Sequence, residues 1–442
     1  MTSYNKRAMY NIVMYLYMLG VAVCSLFSEK VRKMWKGERA AFGELRRKVD
    51  PNARYVWFHA ASLGEFEQGR PLMEQMRAMH PEYKILLTFF SPSGYEVRKN
   101  YEGADIICYL PLDTVLNARR FLRIIRPEMA FFIKYEFWYN YLHILKHRNV
   151  PVYSVSSIFR EGQVFFKWYG RQYGRVLNCF THFFVQNEQS KELLRQIKIH
   201  NVTVVGDTRF DRVLQIKEAA ESLKNVEYFC QYNISNDPNP DDDEVVTACA
   251  GFAPPAGVFV AGSSWQPDED IIIRYFRDKQ LFGYRKWKLI IAPHVIDESH
   301  LQQIERQLDG YKVVRYTKFD CYQFESADVL IVDCYGLLSS IYRYGDITYV
   351  GGGFGVGIHN VLEAAVWGKP VIFGPNNQRF QEAQGLKGVR GGFEIASYED
   401  FQTVMDAFLS GQTSREEAGT IAGEYVKSLG GATGKILSAI GM

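Results

Sequence analysis

Residues 346–375, DITYVGGGFGVGIHNVLEAAVWGKPVIFGP, decide the fold of this chain. A β-branched run passes into three glycines and a glycine-rich loop, HNVLEAA then opens a helix, and a second apolar run closes the stretch. Glycines let backbone amides approach an anion, and a helix N-terminus carries positive partial charge. The stretch therefore predicts a strand–loop–helix–strand unit that binds a phosphate-containing ligand.

The same alternation of strand-length apolar runs and helical patterns extends through both halves of the chain. The earlier runs are 55–61, 84–90, 105–110, 129–135, 151–157, 182–186 and 202–206. The later runs are 257–264, 287–294, 311–316, 328–333, 346–353 and 369–375. Short β-branched and aromatic runs separated by helices predict buried parallel strands, so the fold class is α/β with two Rossmann-like halves.

The length of 442 residues is more than one ordinary core holds, so we predict several parts. They are a membrane anchor with a basic helical arm at 1–48, an acceptor domain at 49–222, a linker at 223–254, a nucleotide-sugar domain at 255–415, and helices at 416–442 that cross back to the first domain. The linker contains NISNDPNPDDDE, whose low hydrophobicity favours an exposed segment. We expect the strand ends of the two domains to face a central cleft.

The N-terminal segment predicts membrane association. Residues 8–27 contain no charge, and about 20 apolar residues suffice to span a bilayer. Residues 1–50 hold ten Lys and Arg against four Asp and Glu. Because no small-x-small cleavage site follows, an anchor or an interfacial helix fits better than a signal peptide. The basic flank favours keeping the body of the protein in the cytoplasm.

Composition excludes several other classes of protein. The net charge is +3 and no basic face recurs along the chain, so nucleic-acid binding is not expected. The seven cysteines show no CxxC pair, which indicates no disulfide framework. Asp241–Asp243 resembles a metal-binding DxD pattern but lies in the linker, where a solvated acidic loop is the better interpretation. We therefore expect no metal and no cofactor.

The sharpest candidate for catalysis is in YVWFHAASLGEFEQGRPL, residues 55–72. A strand ends in small residues before a helix, which puts Ser62, Gly64 and Glu65 at a strand carboxyl end. A carboxylate on such a turn is well placed as a general base for a substrate hydroxyl. The alternative is that Glu65 merely sits favourably in the first turn of its helix.

Polar residues at the other strand ends complete the candidate site. On the acceptor side these are Ser91, Ser93 and Glu136. Glu363 lies one helical turn after His359, where a carboxylate can accept hydrogen bonds from ribose hydroxyls. The donor-binding candidates are Arg209, Ser263, Ser264, His294, Gly352, Gly353, His359, Asn360 and Glu363, of which Arg209 and His294 are expected to meet anionic groups.

Taken in order, these motifs resemble the 3-deoxy-D-manno-octulosonic acid (Kdo) transferases of Gram-negative bacteria. The resemblance rests on KGERAAFGELR, HAASLGEFEQGRPL, YEFWYN, VQNE, GDTRFD, AGSSW, IAPH and the glycine-rich stretch. It implies a GT-B fold and an inverting, metal-independent transfer of Kdo from CMP-Kdo to the lipid A precursor, at the cytoplasmic face of the inner membrane. It also implies that Glu65 is the catalytic base, that Glu136 belongs to the acceptor side, and that Asn360 and Glu363 bind the nucleotide.

The chain departs from the family pattern at four places. Arg209 stands for a lysine, Tyr139 for a proline, Trp265 for the histidine of Gly-Ser-Thr-His, and His294 for the arginine of Pro-Arg-His. Two further functions therefore stay open. One is a GT-B enzyme that uses a UDP-sugar and a lipid-linked acceptor, and the other is a non-catalytic, membrane-bound nucleotide-binding protein.

Overall fold

The computed structural model describes residues 3–168, 170, 173–230, 255–283, 286–318 and 326–442. The chain divides into two compact units: Met1–Arg212 with Leu429–Met442 form unit 1, and Val213–Ser428 form unit 2. These division points differ from the predicted bounds at 222 and 415, and the predicted domains stay predictions. The acidic loop at Asp241–Asp243 lies outside the described residues.

Unit 1 contains a seven-stranded sheet in the order β3-β2-β1-β4-β5-β6-β7, in which every neighbouring pair is parallel. Its strands are β1 Arg54–Ala60, β2 Tyr83–Phe89, β3 Ile106–Tyr109, β4 Met129–Ile133, β5 Val152–Ser157, β6 His182–Val185 and β7 Val202–Val204. Its helices are α1 Ser3–Cys24, α2 Glu29–Lys48, α3 Leu63–Met79, α4 Pro92–Arg98, α5 Val115–Ile125, α6 Tyr139–His147 and α7 Glu188–Gln196, followed by α8 Thr208–Glu218, which runs from unit 1 into unit 2.

Unit 2 contains a second seven-stranded parallel sheet, in the order β10-β11-β9-β8-β12-β13-β14. Its strands are β8 Gly257–Ser264, β9 Trp287–Pro293, β10 Val313–Arg315, β11 Val329–Ile331, β12 Ile347–Val350, β13 Val371–Phe373 and β14 Gly392–Glu394. Its helices are α9 Lys224–Cys230, α10 Gln266–Asp278, α11 Glu298–Gln307, α12 Leu338–Ile341, α13 Leu362–Ala365, α14 Gln381–Gly388, α15 Tyr398–Leu409 and α16 Arg415–Ser428. The last helix, α17 Ala432–Ala439, belongs to unit 1.

The prediction of two parallel α/β domains is confirmed, and each predicted apolar run contains a strand. The central strands are buried on both faces, which explains their continuous apolar runs. On β1, Tyr55 and Trp57 pack in the core on one face of the sheet, and Val56 and Phe58 pack in the core on the other. The pattern missed β14, a three-residue strand that begins with the second of two consecutive glycines.

The C-terminal helix α17 completes one core of unit 1. Its side chains Ala432, Ile436 and Leu437 pack with residues of β1 and β2. The carboxylate of Asp211 accepts hydrogen bonds from the backbone N–H groups of Gly431 at 2.5 Å and of Thr433 at 2.6 Å, and from the Thr433 hydroxyl at 2.6 Å. The last helix is therefore attached to unit 1 by apolar packing and by a charged cap.

The N-terminal helix α1 is joined by hydrogen bonds to the rest of unit 1. The Tyr10 hydroxyl donates to Asp113 at 2.7 Å, and the Asn140 amide donates to Asn11 at 2.9 Å. Among the described helices, none is both long and apolar enough to cross a bilayer. Large apolar side chains are exposed on α1 and just after it, at Met9, Ile12, Val13, Leu16, Leu19, Val23, Leu26 and Phe27.

Candidate active site

In each unit, candidate residues follow the two strands between which the strand order reverses. In unit 1 the order runs from β1 to β2 and β3 on one side and from β4 to β7 on the other, so the reversal lies between β1 and β4. In unit 2 the corresponding pair is β8 and β12. Open α/β sheets bind ligands beyond the carboxyl ends of such strands. Glu65 and Glu136 follow the first pair, and Trp265 and the glycine-rich loop follow the second.

Glu65 lies in the first turn of α3, directly after β1. Ser62 caps this helix, with its hydroxyl accepting from the Glu65 N–H at 3.5 Å. One carboxylate oxygen of Glu65, Oε2, accepts from the Ala61 N–H at 2.5 Å. A second backbone N–H group, that of Ser62, also hydrogen-bonds to this carboxylate. The protein donors to Glu65 are thus backbone N–H groups of its own turn, and its role as a base stays a prediction.

The turn around Glu65 is held by its neighbours. The Ser91 N–H donates to the Ala61 carbonyl at 2.7 Å, which joins the ends of β1 and β2. Ser91 caps α4, and its hydroxyl lies 2.9 Å from that of Ser93. Gly64 is exposed, and a Cβ there would meet open space. The predicted acceptor-side residues of β1 and β2 therefore lie on adjacent loops.

Glu136 follows β4 and has two donors on a single oxygen. Its Oε2 accepts from the Trp138 indole N–H at 2.6 Å and lies 3.2 Å from Nε2 of His59. Burial alone would raise the pKa of Glu136, but the hydrogen bonds and charge supplied by His59 and the bond from Trp138 outweigh burial and lower it. Glu136 is therefore held as a carboxylate.

Glu65 has a different electrostatic environment. Burial and the negative charge of Glu136 raise its pKa to about 7, against the opposing effects of the Ala61 N–H, Lys134 and the Ser62 N–H. Proton transfer by a side chain is most effective when its pKa is near the working pH. The two carboxylates of unit 1 thus differ in protonation, with Glu136 ionised and Glu65 able to exchange a proton near neutral pH.

Arg209 lies in unit 1, apart in sequence from the donor-side candidates of unit 2. Its guanidinium binds the buried Asp207 carboxylate, with Nε and Nη2 at 2.9 Å and 2.7 Å from Oδ2. Burial would raise the pKa of Asp207, but Arg209 and Gln68 lower it. The side chain of Arg209 thus has an acidic partner, which a ligand would have to share or displace, and its expected contact with the donor stays a prediction.

In unit 2 the glycine-rich loop is fixed by Asp268, which the sequence did not single out. The Asp268 carboxylate is 1% exposed and accepts from the N–H groups of Trp265 at 2.9 Å and Gly352 at 3.1 Å and from the Tyr349 hydroxyl at 2.6 Å. Gly352 has φ +92°, which favours glycine. A Cβ on Gly353 would collide with the backbone of Gly374.

The helix predicted to open at His359 and Asn360 is much shorter than expected. It begins at Leu362 and spans only Leu362–Ala365, and the His359 N–H donates to the Gly351 carbonyl at 3.0 Å. One helical turn has a small dipole. The predicted length of this helix is therefore wrong, and phosphate binding at this end of the sheet stays a prediction.

Three rings from three loops stack at the carboxyl end of the second sheet. The His294 ring lies 4.9 Å from Trp265 and 4.2 Å from His359, with interplanar angles of 27° in both pairs. The Trp265 N–H donates to Nε2 of His359 at 3.2 Å. Because an indole N–H only donates, this nitrogen is an acceptor and the His359 ring is neutral. Burial and the neighbouring His294 lower the pKa of His359 to about 4.

The last two residues of β8, Ser263 and Ser264, were both donor-side candidates. Ser264 is completely buried, and its hydroxyl donates to Glu269 at 2.8 Å. The other oxygen of Glu269 lies 2.8 Å from Nε2 of His300. Ser263 has φ +51°, a left-handed conformation that costs energy for a residue with a side chain. The Ser264 hydroxyl thus helps to hold Glu269 in place, and the backbone at Ser263 is strained.

Glu363 is held at both carboxylate oxygens. Its Oε2 accepts from the Ser339 hydroxyl at 2.7 Å, and its Oε1 accepts from the Asn360 amide at 3.1 Å. The Trp367 indole N–H donates to the Ser339 carbonyl at 2.6 Å and fixes that residue. Ser339 was not a sequence candidate, because a serine in an apolar run has no distinguishing neighbours. The predicted pairing of Asn360 and Glu363 is present in the structure, and their role stays a prediction.

Within the described residues, no three His, Cys, Asp or Glu side chains form a group that could hold a metal ion. Asp207, Asp268 and Glu269, the buried acids of the two sites, bond to protein donors instead. The expectation of a metal-independent reaction stays a prediction.

Comparison with known proteins agrees with the motifs. Residues 35–212 match the family model described as 3-deoxy-D-manno-octulosonic-acid transferase (kdotransferase). The chain is 25% identical over 380 residues to the 3-deoxy-D-manno-octulosonic acid transferase of Aquifex aeolicus, covering 85% of this chain and 92% of that protein. It is 25% identical over 394 residues to the enzyme of the same name from Haemophilus influenzae, covering 88% and 87%.

A solved structure gives the fold. UDP-GlcNAc 2-epimerase from Neisseria meningitidis, bound to UDP-GlcNAc, superposes with a TM-score of 0.57 at 13% identity, over 87% of this chain and 99% of that one. At this identity the likeness shows the two-domain, GT-B-like fold alone. The chain is thus similar in sequence to Kdo transferases, and this similarity indicates a glycosyltransferase.

Proposed function

We propose that this protein transfers Kdo from CMP-Kdo to a lipid A precursor, with inversion at the anomeric carbon. In this reaction an acceptor hydroxyl forms a bond to the anomeric carbon, the bond from that carbon to the phosphate oxygen breaks, and CMP leaves. Glu65 takes the hydroxyl proton. CMP leaves with a single phosphate, so amides and polar side chains suffice to stabilise it and the proposal needs no metal.

The environment of Glu65 carries this proposal. The carboxylate lies in the first turn of α3, just after β1, and its pKa is raised to about 7 by burial and by Glu136. A carboxylate at its ordinary pKa would be a much weaker base for a sugar hydroxyl. A group that only caps a helix needs no raised pKa, which is why the catalytic interpretation is preferred.

Unit 2 is proposed to hold the donor. Glu363, fixed by Ser339 and Asn360, is suited to accept hydrogen bonds from ribose hydroxyls. The glycine-rich loop at 351–357 offers backbone close to the same residues, which suits the single phosphate of CMP. His294 and Trp265 replace the charged and polar groups of the family pattern, so binding here relies on stacked rings and the loop rather than on an arginine.

The membrane role is a second part of the proposal. The exposed apolar side chains of α1 suit insertion into the surface of a bilayer. Exposed basic residues lie nearby in sequence on α2, and α5, which packs against α2, adds Arg119, Arg120 and Arg123. Such residues attract anionic lipids. We propose that α1 lies in the cytoplasmic face of the inner membrane, where an acylated, phosphorylated acceptor is found.

Vesicle flotation tests the membrane proposal. The full chain should float with vesicles that contain phosphatidylglycerol and should float less with neutral phosphatidylcholine vesicles. Exchanging Leu16 and Leu19 for Ser should reduce flotation, while Val97→Ser, a change at an exposed apolar residue outside α1, should not. Equal flotation of the parent and the α1 variant would remove α1 from membrane binding.

The transfer reaction is tested by mass spectrometry of the lipid product. The full chain is incubated with lipid IVA and with CMP-Kdo or a UDP-sugar, and addition of Kdo only with CMP-Kdo is the expected result. Thermal shift with CMP and UDP gives an independent comparison, since a ligand that binds only the native state raises its stability. Stabilisation by UDP alone, without any Kdo transfer, would contradict the proposal in favour of a UDP-sugar enzyme.

A further inference from the structure

Behind Glu136 lies a hydrogen-bonded chain that the proposed reaction does not use. His59 is completely buried on β1. Its Nδ1 lies 2.9 Å from the hydroxyl and 3.2 Å from the carbonyl oxygen of Thr88 on β2. The Thr88 hydroxyl also accepts from the Trp57 indole N–H at 2.8 Å. At the other end of the ring, Nε2 faces Glu136 at 3.2 Å. The chain therefore runs from the interior of the sheet to the carboxylate beside Glu65.

The position of the His59 ring is fixed by packing as well as by polar contacts. The Trp138 ring lies edge-on to it at 5.1 Å and the Phe132 ring at 5.7 Å. Thr88, which anchors Nδ1, is itself completely buried. A ring held at both nitrogens and along its edges has little freedom to rotate, so Nε2 keeps a constant direction toward Glu136.

The two donors to Glu136 leave one of its oxygens open. Both His59 and Trp138 bond to Oε2. Within the described part of the chain, Oε1 accepts no hydrogen bond, and the Glu136 side chain is 16% exposed. A carboxylate with two free lone-pair directions and a fixed orientation can accept from a hydroxyl of a ligand. A purely structural ion pair would not require that both donors bond to one oxygen and leave the other open.

We infer that His59 is a positioning residue, which orients Glu136 so that Oε1 binds a hydroxyl of the acceptor sugar beside the hydroxyl that Glu65 deprotonates. The inference rests on the proposed function and assigns acceptor binding to Glu136 and its orientation to His59. In this arrangement Glu65 performs the proton transfer, and the buried chain from Trp57 through Thr88 to His59 keeps the acceptor in register with it.

A matched pair of substitutions tests the inference. Gln at position 59 can place an amide nitrogen near the position of Nε2, and Asn can place one near Nδ1. His59→Gln therefore keeps a donor to Glu136, and His59→Asn keeps only the contact with Thr88. We expect H59N to raise the acceptor KM and to lower kcat/KM for lipid IVA on the order of 100-fold. H59Q should lose no more than about tenfold, the value of one neutral hydrogen bond.

The donor KM serves as the internal control, because CMP-Kdo is assigned to unit 2. A merely structural role for His59 predicts a lower active fraction, with both KM values unchanged and with equal losses in H59N and H59Q. That result would overturn the inference. Should H59N fail to fold, Thr88→Val takes its place, since it removes one anchor of Nδ1 and leaves His59 present. An unchanged acceptor KM in T88V would then contradict the inference.

Direct binding of lipid IVA without donor separates this inference from the transferase proposal. If the parent binds lipid IVA, H59N binds it more weakly than H59Q, and CMP-Kdo gives no product, the positioning role stands and the assignment of the donor fails. If the parent does not bind lipid IVA, both are overturned. The imidazole 15N shifts of His59 give a readout without any substrate. We expect Nε2 to carry the hydrogen that it donates to Glu136, and we expect its shift to change in Glu136→Gln.

Discussion

The carboxylates of the two units are held in opposite ways. In unit 1, Glu136 receives both of its protein donors on one oxygen, and its other oxygen is open within the described residues. The protein donors to Glu65 are only the backbone N–H groups of Ala61 and Ser62. In unit 2, Glu363 has protein donors on both oxygens. An open oxygen suits a group that must accept a new proton or hydroxyl, whereas a carboxylate held at both ends suits a preformed binding surface.

The pKa values of titratable groups also differ between the two units. Burial and a like charge raise the pKa of Glu65 to about 7, close to the pH at which it would work. In unit 2, burial and His294 lower the pKa of His359 to about 4, so its ring stays neutral at physiological pH. The difference fits the proposed division of roles, in which unit 1 transfers the proton and unit 2 binds the donor by stacked rings and backbone groups. Substitutions in either unit can test this difference.

The largest expected effect is at Glu65. Glu65→Gln keeps the size of the side chain but removes the base, so kcat for CMP release should fall by about 10²–10⁴-fold. CMP binding to the same variant, measured by calorimetry, should match that of the parent, because the donor is assigned to unit 2. Turnover close to that of the parent would remove Glu65 from the mechanism.

A smaller effect is expected at Glu363. Glu363→Gln replaces a charged acceptor by a neutral one and leaves an NH2 group opposite the Ser339 hydroxyl, which should weaken CMP binding by about 1.5–3 kcal/mol. The kcat at saturating CMP-Kdo should change little. The control is Glu399→Gln on the exposed face of α15, which should bind CMP like the parent. Loss of kcat without loss of affinity in E363Q would reverse the assignment of roles.

The pH dependence tests the coupling between the two acids of unit 1. A base works when deprotonated, and the pKa of Glu65 is raised to about 7, so kcat/KM should rise with pH through an acidic limb near 7. The charge of Glu136 contributes to that raised pKa, so Glu136→Gln should move the limb of its residual activity to lower pH. A limb that moves upward, or a parent profile with no limb between pH 5 and 8, would contradict this assignment.

The smallest effect is expected at the ring stack. Trp265→Phe keeps an aromatic ring beside His294 but removes the N–H that occupies Nε2 of His359. Protonation of His359 then no longer competes with that bond, so its pKa should rise from about 4, as followed by NMR titration of the imidazole. The free energy of unfolding should fall by about 0.5–1.5 kcal/mol, the value of one hydrogen bond. An unchanged His359 titration would show that burial and His294 set its pKa without the indole hydrogen bond.

Most of the fold could be predicted because buried parallel strands have continuous apolar runs. The same rule failed for β14, since GGFEIA has too few apolar residues for a run and pairs with only one neighbouring strand, β13. The helix at α13 was predicted too long, because helical spacing in HNVLEAA does not reveal that the His359 N–H bonds to Gly351 instead. Local patterns thus predict the elements but not where a tertiary contact ends them.

The candidate site shows a similar limit. Glu65, Glu136 and Glu363 could be singled out because their motifs follow predicted strands. His59 could have been suspected, since it is a polar residue inside the buried run YVWFHAA, but its partner Glu136 is 77 residues away. The ion pair that occupies Arg209 joins residues two positions apart, and no pattern distinguishes it from an arginine that faces solvent. Pairing between distant residues depends on strand order, which the sequence alone leaves open.

The attachment of α17 to unit 1 has a consequence for how the protein is made. Residues 213–428 separate the first part of unit 1 from α17, the helix that fills its core. The hydrogen bonds of Asp211 to Gly431 and Thr433 can form only after those residues have been synthesised. During translation, unit 2 can therefore form completely before unit 1 does. Until the final helix leaves the ribosome, the proposed catalytic half exists with an open core face, exposed to chaperones and proteases.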